Sequence, residues 1–379
     1  MTADRPKQKS APQDIGPLVP APYVPDYGAA VGELLRLELV ARGLSQAEFA
    51  LRTGLSTKHV NQVIQGVVPL STSTALLIER TLGVSADLLT AIEAGHQATA
   101  GRSKAVERLA AYAPWFRTFP LALLRERGIL TKSKPQNQQI GQLLAFFGVA
   151  DPDAFDRINA EDALSFRRAQ HLNVNLPATA VWLRLAEQEA SRLRCQDYDK
   201  KKFVNLLHDL RPLTTHNLPK AFPDLQRLCA HVGVAVVHVA DISGARVYAA
   251  TRWLSASRPV IALSGRGQYE DGVWFSFFHE AGHVVLHPTR RSLVHLEPEG
   301  GDDGDGAESE ANRFARTMLL GDDISEDRLR LVKSVADARS LAVTIGVHEG
   351  IVAGQAAYAQ QEKTAWGRLS KARRKASWD

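Results

Sequence analysis

The chain has 379 residues, enough for two or three domains, and its hydrophobic fraction of 45% and charged fraction of 23% are those of an ordinary globular protein. No apolar run approaches the ~20 residues of a membrane span, and no hydrophobic signal segment is visible, which predicts a cytoplasmic protein without a membrane partner. The two cysteines, Cys195 and Cys229, argue against a disulfide framework and a cysteine-based zinc site. The net charge of +5 permits nucleic-acid binding without establishing it.

The N-terminal part of the chain predicts a disordered leader followed by five short helices. Residues 1–25 are polar and rich in proline, which indicates disorder. Further on, Ser45 and Glu48 form a predicted capping box, and Gly54-Leu55-Ser56 a tight turn. The helices are predicted at residues 31–43, 46–53, 57–65, 74–82 and 86–93.

The second and third of these helices, joined by the glycine turn, have the helix-turn-helix arrangement of DNA-binding proteins. The third helix directs its apolar residues inward and keeps a polar face for a major groove. That face comprises Thr57, Lys58, Asn61 and Gln62. Asn and Gln can contact adenine, and Lys can contact guanine or phosphate. Gln46 suits a phosphate contact through its backbone N–H. We expect a homodimer on a double-stranded DNA operator; the alternative is a small helical interaction domain.

A family resemblance supports the DNA-binding interpretation. The run L-S-Q-A-E-F-A from Leu44, with G-L-S-T-K-H-V-N from Gly54, resembles the Xre-type helix-turn-helix family. Within that family it is most similar to the HigA-like plasmid-maintenance antidotes. The resemblance implies a transcription regulator.

The middle of the chain predicts helices and then strands. Residues 96–105 are interpreted as a short linker, and residues 106–231 have helical periodicity. The period then changes to two, which predicts three strands at residues 233–239, 245–251 and 259–263.

The next helix, from Trp274 to His287, contains the motif H-E-x-x-H. Residues four apart share a helix face, so His279 and His283 can bind one metal ion. Glu280 lies where a carboxylate can act as a general base on a metal-bound water. The alternative, two core histidines bonded to carbonyl groups, fits this spacing less well. We interpret His287 as a supporting histidine and not as a ligand, because the extended metzincin spacing is absent.

A second amphipathic helix supplies the third protein ligand that a catalytic zinc site needs. Glu308 and Asn312 share one face, so we predict Glu308 as the ligand and Asn312 as the group that holds a ligand histidine by its free ring N–H. Glu310 is the reserve ligand, although it points about 200° round the helix from Glu308. The acidic, glycine-rich run at residues 297–306 is predicted to cover the substrate groove at rest.

The strands, H-E-A-G-H and E-S-E-A-N-R-F-A together resemble the ImmA/IrrE-family zinc metallopeptidases, over residues 233–357. The order of Xre domain, helical middle and peptidase is also similar to that family's fused regulators. The resemblance implies Zn²⁺ on His279, His283 and Glu308, with Glu280 as the catalytic base. It further implies cleavage of a repressor or partner protein in a stress, phage or toxin–antitoxin response.

The predicted fold is therefore α+β. An all-α five-helix helix-turn-helix domain is expected at residues 26–95, and a helical middle region at 106–231. A zincin-like peptidase domain with a small β-sheet and the H-E-x-x-H helix is expected at 232–360. The basic run in the tail at 361–379 is interpreted as solvated, with phosphate contacts as the alternative.

Two functions stay open at this point. In the first, Glu280 takes a proton from zinc-bound water, hydroxide attacks a peptide carbonyl, and Tyr269, His287 or His295 stabilises the oxyanion. In the second, the protein is a non-catalytic HigA-like antitoxin or autorepressor whose peptidase-like domain is a sensor or a toxin-binding platform. The presence of Glu280 favours the first, because a pure scaffold needs no base.

Overall fold

The structure, a computed structural model, describes residues 31–159, 175–288 and 306–378, and the backbone of 292–296. The predicted leader at residues 1–25 lies outside this part of the chain. A boundary between two compact units falls after Ala110. No helix in the described ranges is long and apolar enough to cross a membrane.

From residue 31 on, where the structure describes it, the first unit is built from five α-helices around an apolar core. The helices are α1 (Val31–Ala41), α2 (Gln46–Thr53), α3 (Thr57–Ile64), α4 (Thr72–Leu82) and α5 (Ala86–Arg108). Ser45, Ser56 and Ser71 precede α2, α3 and α4, and each hydroxyl accepts the backbone N–H three residues further on. Gly54 and Gly83 end α2 and α4 in the left-handed conformation. These local signals explain why the boundaries of α2 and α3 were predictable to within a residue.

One close approach fixes the position of α3 in this unit. Gly32 of α1 lies against the carbonyl of Ile64 at the end of α3, and a Cβ atom at Gly32 would overlap that carbonyl. A larger residue at this position would therefore separate α1 from the helix that carries the predicted DNA-contacting face.

The structure corrects two predictions in the first unit. The helix predicted at residues 86–93 continues to Arg108, so the linker interpretation of residues 96–105 is wrong. That segment contains no proline, and its single Gly101 weakens a helix by only about 1 kcal/mol. Of the capping box, only the bond from the Glu48 N–H to Ser45 Oγ is present, because the Glu48 carboxylate bonds Arg52 at 2.7 Å.

The second unit begins with helices, as the periodicity predicted. They are α6 (Ala113–Phe116), α7 (Leu121–Glu126), α8 (Gln136–Phe147), α9 (Pro152–Ile158), α10 (Leu176–Arg192), α11 (Lys200–Asp209) and α12 (Leu218–His231). Trp182 of α10 is fully buried and donates from Nε1 to the carbonyl of Val239 at 2.9 Å. Gln226 of α12 donates to the carbonyl of Val236. Helices α10 and α12 are therefore joined directly to the chain segment of β1.

The sheet has four strands in the order β1-β3-β2-β4. They are β1 (Ala235–His238), β2 (Val247–Ser255), β3 (Arg258–Leu263) and β4 (Ser292–Leu296). β1 is parallel to β3, and the other pairs are antiparallel. The sequence predicted the first three strands, with ends that differ by a few residues, and missed β4. Five residues next to an acidic run give too short an alternation to detect.

Helices fill the rest of the second unit around α13, which spans Glu270–Leu286. The others are α14 (Gly306–Leu320), α15 (Glu326–Arg330), α16 (Val335–Ile345), α17 (Glu349–Gln360) and α18 (Lys363–Leu369). α13 is buried on nearly all sides, as expected for a helix that is apolar all round. Polar residues on this helix must therefore find their partners inside the protein.

The C-terminal segment packs on the start of α13, so the solvated-tail interpretation is wrong. Arg373 bonds Asp271 at 3.0–3.1 Å, and Arg374 Nε donates to Glu270 Oε2 at 2.6 Å. Both carboxylates are buried. The ring of Trp378 stacks on His238 with centroids 3.7 Å apart. The partners lie more than one hundred residues earlier in the chain, a distance over which charge patterning gives no signal.

Candidate metal centre and DNA-binding helix

The candidate metal centre lies at the close contact of α13 and α14. Gly282 lies at this contact, where an added Cβ would come within 3.1 Å of Phe314 Cδ1 and 3.3 Å of Ala311 Cα. Glycine therefore lets the two helices approach at the level of the two histidines. His279 and His283, at 0% and 1% exposure, are fully enclosed there.

Three side chains converge at this contact. The Nε2 atoms of His279 and His283 lie 3.0 Å apart. Glu308 of α14 places one carboxylate oxygen 3.2 Å from His279 Nε2 and the other 3.3 Å from His283 Nε2. These three residues form a candidate metal-binding triad.

Asn312 determines which nitrogen of His279 faces the triad. Asn312 lies one turn after Glu308 on α14, and its Oδ1 is 2.9 Å from His279 Nδ1. An amide oxygen can only accept, so Nδ1 carries the proton and the Nε2 of the neutral ring presents its lone pair to the triad. This is the tautomer that a metal ligand requires.

The tautomer of His283 is set by a longer hydrogen-bonded chain. Glu310 Oε2 accepts from His287 Nε2 at 3.0 Å, which leaves the Nδ1 of a neutral His287 as an acceptor. His283 Nδ1 lies 3.2 Å from this atom and donates to it. Nε2 of His283 therefore also has a free lone pair.

The donor set fits a cation. Two imidazole lone pairs and a carboxylate face one another, and three acceptors in contact repel unless positive charge lies between them. Tetrahedral zinc with bonds of about 2.0–2.2 Å separates its ligand atoms by about 3.2–3.5 Å. The measured separations of 3.0, 3.2 and 3.3 Å are close to that range.

Charge on the triad is shared between the histidines and the carboxylate. When protons on the two Nε2 atoms take the place of a cation, burial would raise the pKa of Glu308, but hydrogen bonds and charge interactions with the two histidines outweigh it and hold the pKa well below its usual range. Burial lowers the pKa of His279, whereas Glu308 and Glu280 raise it above its usual value overall. The site thus attracts positive charge.

Glu280 lies beside the triad and is fully buried. Its Oε2 accepts from Thr251 Oγ1 of β2 at 2.7 Å. Its Oε1 is buried and has no hydrogen-bond partner among the residues that the structure describes. Burial raises the pKa of Glu280, although His283, His279 and the Thr251 hydroxyl lower it in part. A carboxylate with a raised pKa and one unengaged oxygen is suited to accept and return a proton.

The structure separates the three predicted oxyanion candidates. Tyr269 precedes α13 and lies ten positions before His279, which corresponds to a rise of roughly 15 Å and is too far from the triad. His287 uses one ring nitrogen for Glu310 and the other for His283. The side chain of His295 lies outside the described part of the chain.

Residues 297–305 of the predicted covering loop lie outside the described part of the chain as well, so that loop stays a prediction.

Four of the five predicted DNA-contacting residues lie on α3, and the fifth, Gln46, is the first residue of α2. Thr57 and Lys58 are exposed, and Asn61 and Gln62 are half-buried. Asn61 Nδ2 donates to Gln46 Oε1 at 3.4 Å, which joins α3 to the first residue of α2. The sequence assigned these two residues separate contacts and did not predict their pairing. Their individual contacts with bases and phosphates stay predictions.

Comparison with known proteins supports the first unit. Residues 35–89 match the family model described as Helix-turn-helix. No match was found among curated proteins. The chain thus carries a helix-turn-helix DNA-binding domain of the kind found in transcription regulators.

Two features of the metal centre were not found from the sequence. Thr251 was seen only as part of a strand, and its contact with Glu280 depends on how β2 lies against α13. Glu310 was the reserve ligand, whereas its carboxylate bonds His287. Its direction on the helix, away from Glu308, was the signal that could have separated the two roles.

Proposed function

We propose that this DNA-binding regulator carries a zinc peptidase domain of the zincin type in its second unit. The observation that carries the proposal is the convergence of His279, His283 and Glu308 beside the buried carboxylate of Glu280. A structural zinc site is usually closed by four protein ligands, whereas a catalytic site keeps a position open. Only three such residues meet in the part of the chain that the structure describes, which supports a catalytic site.

Each residue of the site has its own role in the proposed reaction. His279, His283 and Glu308 would hold the zinc ion, which would supply Lewis-acid chemistry for a carbonyl group and a water molecule. Glu280 accepts a proton on its unengaged oxygen Oε1 and delivers it to the leaving amine. Thr251 holds the other oxygen of Glu280, and Asn312 holds the ring of His279. Each group therefore keeps its orientation without rearrangement during turnover.

The proposed substrate is a protein that works with the regulator. A peptidase in the same chain as a helix-turn-helix domain is brought close to proteins that act at the same operator. We therefore propose cleavage of a repressor or partner protein in a stress, phage or toxin–antitoxin response. The helix-turn-helix domain is proposed to bind the operator as a homodimer.

A cleavage assay tests the peptidase proposal. The purified full-length protein, supplied with zinc, is incubated with the repressor or toxin encoded by the adjacent gene. We expect defined fragments with the wild type and none with Glu280→Gln, because the glutamine amide cannot take up a proton. Both proteins are also titrated with DNA from their own promoter, and both should bind it equally.

The DNA titration checks the unit that carries α3, and the zinc content of Glu280→Gln, which keeps all three ligands, is the control for folding of the second unit. Equal cleavage by wild type and Glu280→Gln would refute the proposed role of Glu280. Binding of the partner protein by the wild type without any cleavage would instead favour the antitoxin or sensor function.

A further inference from the structure

The two histidines of the triad are oriented by hydrogen bonds to different kinds of side chain. His279 Nδ1 donates directly to Asn312 Oδ1 at 2.9 Å. His283 Nδ1 lies 3.2 Å from the ring of His287, which in turn bonds Glu310 at 3.0 Å. The Nδ1 atom of His279 thus bonds a neutral amide, whereas the Nδ1 atom of His283 bonds a histidine that itself bonds a carboxylate.

We propose that His287 and Glu310 are the positioning residues of His283, and that Glu310 acts on the metal centre only through His287. The proposal rests on the proposed zinc site. The two glutamates at the start of α14 then have different roles. Glu308 belongs to the triad, and Glu310 bonds His287, which orients His283.

The position of His287 at the end of α13 suits this role. His287 is the C-cap residue, and its backbone N–H bonds the carbonyl of His283 at 2.9 Å, so the two rings lie on the same side of the helix. Pro288 follows and prevents the helix from continuing. The side chain of His287 is 14% exposed and that of Glu310 is 51% exposed, so the bond to His283 is shielded from water and the bond to Glu310 is open to it. His287 is therefore held from both its backbone and its ring.

Glu310 is the only part of this chain of contacts that comes from α14. Two residues along a helix turn it by about 200°, which directs Glu310 away from Glu308 and toward the end of α13. Side chains of α14 therefore contact α13 at two places along its axis. Glu308 contacts the triad histidines, and Glu310 bonds His287. A carboxylate behind His287 requires a proton on Nε2, and this leaves Nδ1 free to accept from His283. Without the carboxylate, His287 can adopt the other tautomer, in which Nδ1 no longer accepts.

The contribution of such outer hydrogen bonds to metal affinity is about 10–100-fold. The experiment measures the Kd for zinc by competition with a chromogenic chelator at fixed pH, on the full-length protein. His287→Leu removes the acceptor, and we expect zinc affinity to fall about 10–100-fold. His287→Asn places an amide oxygen where Nδ1 was, as Asn312 does for His279, and should restore most of the affinity.

A double variant tests whether Glu310 affects zinc binding only through His287. Glu310→Ala alone should weaken zinc binding, whereas in the His287→Asn background the same change should have no effect. An equal loss in both backgrounds would show that Glu310 acts by its charge on the ion, which would overturn the proposal. Unchanged affinity in His287→Leu would overturn it as well.

Other outcomes separate this inference from the zinc site itself. If the wild type binds no zinc, the proposed metal centre fails and this inference fails with it. If the wild type binds zinc and His287→Asn binds as poorly as His287→Leu, the metal centre stands and the positioning role is wrong. Melting curves of the zinc-free variants show whether each is folded at the temperature of the zinc titration, which separates positioning from folding.

Discussion

Buried polar side chains on α13 are tolerated because other elements supply their partners. Asn312 of α14 bonds His279, and Thr251 of β2 bonds Glu280. A buried polar group without a partner costs about 1–3 kcal/mol, so each contact matters for stability as well as for chemistry. Glu280 depends on Thr251 most, since its other oxygen has no partner among the described residues.

At the scale of single residues, we predict that Thr251→Val destabilises the second unit by about 2 kcal/mol, because a buried carboxylate loses its hydroxyl donor. Thr251→Ser keeps the hydroxyl and should be clearly more stable than the valine variant. Urea unfolding followed by tryptophan fluorescence measures this effect, since all six tryptophans lie in the second unit. If the valine variant equals the wild type in stability, the bond from Thr251 to Glu280 does not contribute.

Residues of this kind also mark the limit of sequence analysis. His279 and His283 were predictable because four residues along a helix define a common face, and Glu308 with Asn312 because the same rule applies to α14. Thr251 and Glu310 acquire their roles only from the packing of α13 against β2 and α14. Local periodicity cannot specify such contacts.

At the scale of elements, the separation of α13 and α14 controls the triad, because each helix carries part of it. Gly282 permits the short separation, and the bulk of Phe314 and the backbone of Ala311 lie directly opposite. Ligand groups need to stay within about 0.5 Å of their working geometry, so a small shift of α14 alters the position of Glu308 relative to both histidines.

We therefore predict that Gly282→Ala lowers zinc affinity measurably, since the added Cβ moves α14 and Glu308 by a few tenths of an ångström, toward the limit of about 0.5 Å. Gly272→Ala is the matched control on the same helix, because no atom lies within 4 Å of its added Cβ. The control should bind zinc like the wild type and gain about 0.5–1 kcal/mol of stability from helix propensity. Equal zinc affinity in both variants would show that this helix separation does not control the site.

Caps and turns were the most predictable features at this scale. Ser45 and Ser56, with Gly54 between them, specify the ends of α2 and α3 from neighbouring residues alone. α5 was predicted too short, because the apolar periodicity stops before the helix does. β4 was missed because its pairing with β2 is a long-range contact.

At the scale of the whole molecule, the end of the chain is part of the second unit. Arg373 lies over the rings of Tyr269 and Trp366 and bonds Asp271, so it joins three segments. The side chains of this ion pair are only 13% and 8% exposed. Removing one partner of such a pair leaves a buried charge without compensation, which is far more costly than losing a surface pair.

We predict that Arg373→Ala destabilises the second unit by roughly 3 kcal/mol, because Asp271 loses its counter-charge. Lys371→Ala is the control, since Lys371 is exposed in the same basic run. Its effect should lie within about 0.5 kcal/mol of zero. Urea unfolding followed by tryptophan fluorescence again gives the difference. Similar stability of both variants would mean that this segment is solvated after all.

The central claim is that His279, His283 and Glu308 hold one zinc ion, and elemental analysis of the purified protein tests it most directly. We predict close to one zinc per chain in the wild type and in Glu280→Gln, which retains all three ligands. Zinc should be nearly absent from His283→Ala and Glu308→Ala. Full zinc content in these two variants, or none in the wild type, would contradict the account.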